Sequence, residues 1–123
     1  MNQGRFGLAA FVGSAMLVAS SPAWAHAHLV SSNPAANATI SAAPKTITLT
    51  FSAKVAPAFS KFELVMPEHG GMKVPVKTTV SKDGKSIVGT VSAPLAKGAY
   101  KIAWSAASAD GHKMTGEVPF TVG

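Results

Sequence analysis

Large apolar residues recur at every second position in four separate stretches of this chain, and a period of two belongs to a strand with one face buried, not to a helix. In TITLTF, Ile47, Leu49 and Phe51 alternate with Thr46, Thr48 and Thr50. KFELVM puts Phe62, Leu64 and Met66 on one side, AYKIAWSA does the same with Tyr100, Ile102, Trp104 and Ala106, and EVPFTV with Val118, Phe120 and Val122. Each reads as a half-buried strand. Between Val74 and Val91 two β-prone arms meet around Asp83-Gly84, a strong hairpin signal because both residues tolerate the positive φ of a tight turn. Proline and glycine punctuate the remainder in NPAANA, AAP, MPEHGG and SAPLAKG. No window sustains a period of 3.6 residues, and no internal repeat is apparent.

About seven short strands at these intervals predict an all-β chain: a small antiparallel Greek-key β-sandwich or barrel of immunoglobulin-like type. There is no cysteine, so the Cys-Trp-Cys spacing of antibody domains is missing and packing alone must hold the sheets together. Trp104 is most simply a core residue.

The first twenty-five residues stand apart. Arg5 supplies a short positive start, LAAFVGSAMLVA from Leu8 to Ala19 is uncharged and apolar, and PAWA ends in the small-x-small pattern Ala23-Trp24-Ala25. That is the pattern of a cleaved secretory signal peptide. The apolar run is about a dozen residues long, short of the roughly twenty a spanning helix needs. Residues 1–25 are therefore expected to be removed, leaving one exported domain of residues 26–123 with no segment able to cross a bilayer. The formal net charge of +6 falls by one with Arg5, and every remaining basic residue is a lysine. These lysines are spread along the chain, without the patch of Lys and Arg interleaved with aromatics that nucleic-acid binding needs. A solvated, mildly basic surface is the expectation, without nucleic acid as a partner, and the domain is expected to be a monomer.

Cleavage after Ala25 would make His26 the N-terminal residue. Its free α-amine, with an unperturbed pKa of about 7.7–8.0, and its imidazole can then chelate one metal ion together. Two nitrogens from one residue, a second imidazole and a carboxylate suit Cu(II), which favours tetragonal N,O coordination. The missing donors stand close together in SADGHKMTG, where Asp110 and His112 are two apart. An extended segment would point both the same way, and Gly111 lets the backbone turn between them. Zinc could use the same donors, but at equal ligands copper(II) binds more tightly.

The stretches HAHLVSSNPAANA, ITLTFS, FELVM and PLAKGAYKIAWSAASADGHKMTGEVPFTV together resemble the CopC family of periplasmic copper-binding proteins, over most of the chain after the leader. The resemblance implies a small antiparallel β-barrel or sandwich, a periplasmic location, and one Cu(II) held by the amine and imidazole of His26, by Asp110 and by His112. It also implies an inner-membrane partner of the CopD type that receives or imports the metal. Two departures stand out. Where many members carry an acidic residue after the second strand, FSAKV has Ala53 and Lys54. Where some carry a methionine-rich loop suited to Cu(I), VMPEHGGMKV keeps only Met66, His69 and Met72, a set for weak Cu(I) binding at most. The alternative for these three is that Met66 faces the core while His69 and Met72 decorate a loop. Met114 is expected on a loop beside His112, with no role.

His28 offers a competing mode. In His26-Ala27-His28 the histidine is third from the free amine, an arrangement that lets Cu(II) displace two amide protons and form a square-planar chelate that leaves Asp110 and His112 idle. A strand starting near His28 would need those amides for its own hydrogen bonds, so the amide chelate is expected only in a frayed terminus, with His28 an auxiliary group in the folded one.

Three function classes follow. The first is a binding protein that sequesters periplasmic Cu(II) or delivers it, in copper homeostasis or resistance. The second is a copper-dependent oxidative enzyme with a histidine-brace centre. Asp110 speaks against it, because a carboxylate beside the metal fills a position oxygen would need and favours Cu(II) over Cu(I); no exposed aromatic platform for a sugar is evident. The third, an adhesion domain without metal, has only the fold class in its favour. Hydrolysis finds no support: there is no G-x-S-x-G elbow and no carboxylate pair close in sequence.

Overall fold

The alternating stretches all form strands in the computed structural model, which describes residues 27–123; the leader and His26 lie outside the described residues. In chain order the strands are β1 (Leu29–Asn33), β2 (Ala38–Ile40), β3 (Thr46–Phe51), β4 (Lys61–Met66), β5 (Met72–Val74), β6 (Val76–Val80), β7 (Ser86–Val91), β8 (Gly98–Ala107) and β9 (Lys113–Val122). They make two sheets, of order β1-β3-β7-β6 and β2-β9-β8-β4-β5. This is the expected all-β sandwich. The two strands beyond the expected seven are β2 and β5, with three residues each, too short to show an alternation. One pairing departs from the antiparallel expectation. β2 runs parallel to β9, Ala38 opposite Phe120 and Ile40 opposite Val122, because the chain crosses from β1 in one sheet to β2 in the other before returning to β3.

Burial follows the alternation. Ile47, Leu49, Phe51, Phe62, Leu64, Tyr100, Ile102, Trp104, Val118, Phe120 and Val122 all lie in the core between the sheets. The Trp104 ring meets the Phe51 ring edge-on at 5.2 Å between centroids, and Gly116 opposes Trp104 in the β8–β9 ladder, where a side chain would strike the indole. Met114 is a correction to the sequence reading: it lies within β9, half-buried against the core, because β9 starts directly after His112.

The turn at Asp83-Gly84 joins β6 to β7 as expected. Asp83 Oδ1 accepts the Ser81 hydroxyl at 2.6 Å and the Lys85 N–H at 3.0 Å, and Gly84 takes φ +76°. The other long hairpin positions the candidate site. β8 and β9 pair residue for residue from Gly98–Val122 to Ala107–Lys113, inside the larger sheet, so the Ser108–His112 loop stands at the tip of a stiff ribbon.

Candidate metal centre

Asp110 and His112 meet at that tip, though not by the extended geometry their spacing suggests. The loop is a turn: the Gly111 N–H donates to the Ser108 carbonyl and the Ser108 N–H to the His112 carbonyl, each at 2.9 Å. Gly111 takes φ +91°, a conformation that disfavours any residue with a Cβ. Asp110 Oδ1 accepts the Ser108 hydroxyl and, at 3.1 Å, the His112 N–H, while Oδ2 lies 3.0 Å from His112 Nδ1. The Ser108 hydroxyl first and the His112 N–H second hold the Asp110 carboxyl well below the usual carboxylate range, so it is an anion at neutral pH. With Nδ1 turned to Asp110, Nε2 is the nitrogen His112 offers a metal, the arrangement in which a carboxylate fixes the ring of a ligating histidine. The imidazole side chain is 66% exposed and the carboxylate 34%, so the pair is open to solvent.

What holds the loop is long-range. Ser108, 2% exposed, forms a bridge with Val55, and the Ala56 N–H donates to the Ala107 carbonyl at 2.8 Å. The Ala107 N–H reaches the buried Ser60 hydroxyl at 3.2 Å. The same short segment after β3 grips the N-terminal end of the described chain. The His28 N–H donates to Ser52 Oγ at 3.0 Å, His28 Nδ1 lies 3.1 Å from that oxygen, and the Ser52 N–H donates to the His28 carbonyl at 2.8 Å. Ala27 is buried in the core. Three residues span at most about 10–11 Å, so Ser52 and Val55 bring the His28 end and the Asp110 loop to one end of the sandwich. Among the described residues no third His, Cys, Asp or Glu completes a metal-binding group.

Ser52, Ser60 and Ser108 were absent from the sequence reading. Only Ser108 left a trace there: a serine two residues before an aspartate is a turn-forming pair.

Residues 29–123 match the model of the CopC domain. The chain belongs to the CopC family. It is 42% identical to copper resistance protein C of Xanthomonas campestris pv. juglandis over 110 residues, 85% of this chain and 86% of that one. The crystal structure of PcoC, a methionine-rich copper resistance protein from Escherichia coli, superposes with a TM-score of 0.73 at 39% identity, covering 80% of this chain and all of that one. A third relative, copper transport protein CutJ of Bacillus subtilis, is 33% identical over 81% of this chain but over only 18% of its own length. There a CopC-like stretch is a small part of a much longer protein.

The two departures within the CopC family can now be placed. Ala53 packs against the core, and the Lys54 stem lies along the turn at Gly84, so neither returns the missing carboxylate. Met66 and Met72 are partners across β4 and β5, hence neighbours on one face of the sheet. Met66 is 7% exposed and packs in the core, however, while Met72 is 53% exposed. His69 sits in an exposed 3-10 turn, Pro67–His69, between the two strands.

Proposed function

We propose that this chain is an exported, periplasmic Cu(II)-binding protein of copper homeostasis, which sequesters the ion or hands it on. The site would comprise the α-amine and imidazole of His26, exposed by cleavage after Ala25, together with Asp110 and His112. One observation carries the reading: the Asp110–His112 turn of a CopC-family chain is charged, pre-shaped and anchored to the segment that also holds His28. Its donor chemistry fits copper(II), which takes anionic oxygen and imidazole nitrogen together: a carboxylate held as an anion beside a solvent-exposed imidazole. The exposure of the pair suits an ion that must be taken up and released by contact. Among the described residues no helix is long and apolar enough to cross a membrane. The embedding of a CopC-like stretch in a long copper transport protein supports a membrane transporter of the CopD type as the separate partner of this one.

Cu(I) binding at Met66, His69 and Met72 is at best weak in this reading, since the core claims Met66. The Asp110 carboxylate beside His112 also speaks against a histidine-brace enzyme.

The test is a Cu(II) titration of the processed protein, read by electron paramagnetic resonance, beside forms carrying one extra N-terminal glycine or His112→Ala. One tight copper with mixed nitrogen and oxygen ligation, weakened by orders of magnitude in both altered forms, is expected. Indifference to the glycine would remove His26 from the site, and indifference to His112→Ala would remove the loop.

A further inference from the structure

The Ser52 hydroxyl occupies two particular atoms of His28, the backbone nitrogen and Nδ1. These are the atoms an amide chelate at His26-Ala27-His28 would use. In that chelate copper bonds the terminal amine, the amide nitrogens of residues 27 and 28, and the Nδ1 of residue 28, which closes a six-membered ring through Cα, Cβ and Cγ. Two amide protons leave to solvent. An amide that donates to Ser52 Oγ still holds its proton, and an Nδ1 within hydrogen-bond distance of the same oxygen is already engaged. The third bond, from the Ser52 N–H to the His28 carbonyl, fixes the two residues side by side, and burial of Ala27 resists lifting the preceding residue off the core.

We propose that Ser52 is a positioning residue that decides which donors copper takes at the N-terminus: by gripping His28 it blocks the amide chelate and reserves the ion for His26, Asp110 and His112. This inference rests on the copper reading above. Ser52 also belongs to the segment, through Val55 and Ala56, that anchors the Asp110 loop. One short strut therefore sets both halves of the site. Without the hydroxyl, the competent arrangement is populated for less of the time, and the apparent affinity falls by that fraction.

Ser52 is exposed, so Ser52→Ala should fold, and Ser52→Thr keeps the hydroxyl as the conservative control. Each protein, processed at Ala25, is loaded with one equivalent of Cu(II), examined by electron paramagnetic resonance, and titrated against a competing chelator. Ser52→Ala is expected to show a second, four-nitrogen signal that disappears when His28→Ala is added. Its affinity at the His112-dependent site should drop roughly tenfold, the worth of the hydrogen bonds removed. Ser52→Thr should match the parent. In the copper-free protein, hydrogen exchange at the His28 amide should quicken in Ser52→Ala. A Ser52→Ala protein with the parent spectrum, affinity and exchange rate, in a series where His112→Ala still weakens binding, overturns the role of Ser52 and leaves the copper site standing. A parent protein whose copper is indifferent to His112→Ala overturns both.

Discussion

Phe62 of β4 lies over Gly89 of β7 where the two sheets meet, and Gly89→Ala tests whether the missing side chain there sets their spacing. A methyl at Gly89 would fall 2.2 Å from Phe62 Cζ, 2.9 Å from its Cε1 and 2.7 Å from Val76 Cγ1, against about 3.5–4.0 Å for a comfortable carbon contact. The ring must retreat by more than an ångström, but Phe62 is 4% exposed and sits among Leu64, Ile102 and Trp104 in the core. β7 cannot yield either, since β3 and β6 hold it from both sides. Overpacking of this kind costs about 1–3 kcal/mol, and so severe an overlap belongs near the top of that range. Alanine recovers about 0.5–1 kcal/mol because glycine loses more backbone freedom on folding. The net expectation is a loss of about 2 kcal/mol, or a fall in Tm of roughly 8–16 °C for a domain of this size. Urea unfolding followed by fluorescence of Trp104, the sole tryptophan after leader removal, measures it. Adding Phe62→Leu should restore part of the loss, giving a coupling above about 0.5 kcal/mol. A Gly89→Ala protein as stable as the parent would refute the argument that this contact sets the sheet spacing.

Asp83 gives a pH prediction. The Ser81 hydroxyl first, then the Lys85 N–H, hold its carboxyl below the ordinary aspartate range, so its contribution to stability is complete above that range and is lost as pH falls through the lower, folded-state pKa. Urea midpoints measured downward from pH 5 should therefore fall less steeply in Asp83→Asn than in the parent; parallel curves would remove Asp83 from the account. Replacing Met66 and Met72 together with leucine should leave Cu(II) affinity unchanged, since neither belongs to the proposed ligand set. A weakened Cu(II) titration would place copper near the β4–β5 edge instead.

The candidate site was legible in part. Asp110 and His112 could be singled out because their residue types and spacing carry coordination chemistry, but the reason they meet was misread. An extended pair was expected and a turn is found, because Ser108 is pinned to Val55 and its hydroxyl pulls the Asp110 carboxylate back over the loop. Ser52 was invisible for a different cause: an exposed serine has no pattern, and its partner lies 24 residues away. The fate of Met66 was readable, since the alternation of KFELVM already put it on the core face. Met114 was not, because the start of β9 depends on where the hairpin turn ends.

The sequence by itself determined which residues face inward. Strand alternation is a local property, and each of the four stretches keeps its buried side in the folded chain because only that register removes the apolar face from water. It likewise determined the Asp83-Gly84 hairpin, whose turn needs only its own few residues. The tertiary structure decided the parallel seat of β2 on β9, the interlock of Phe62 with Gly89, and the strut of Ser52, Val55 and Ala56 that joins the His28 end to the Asp110 loop. Each of those depends on groups far apart in the chain, and their partners are chosen only when the sheets close on one another.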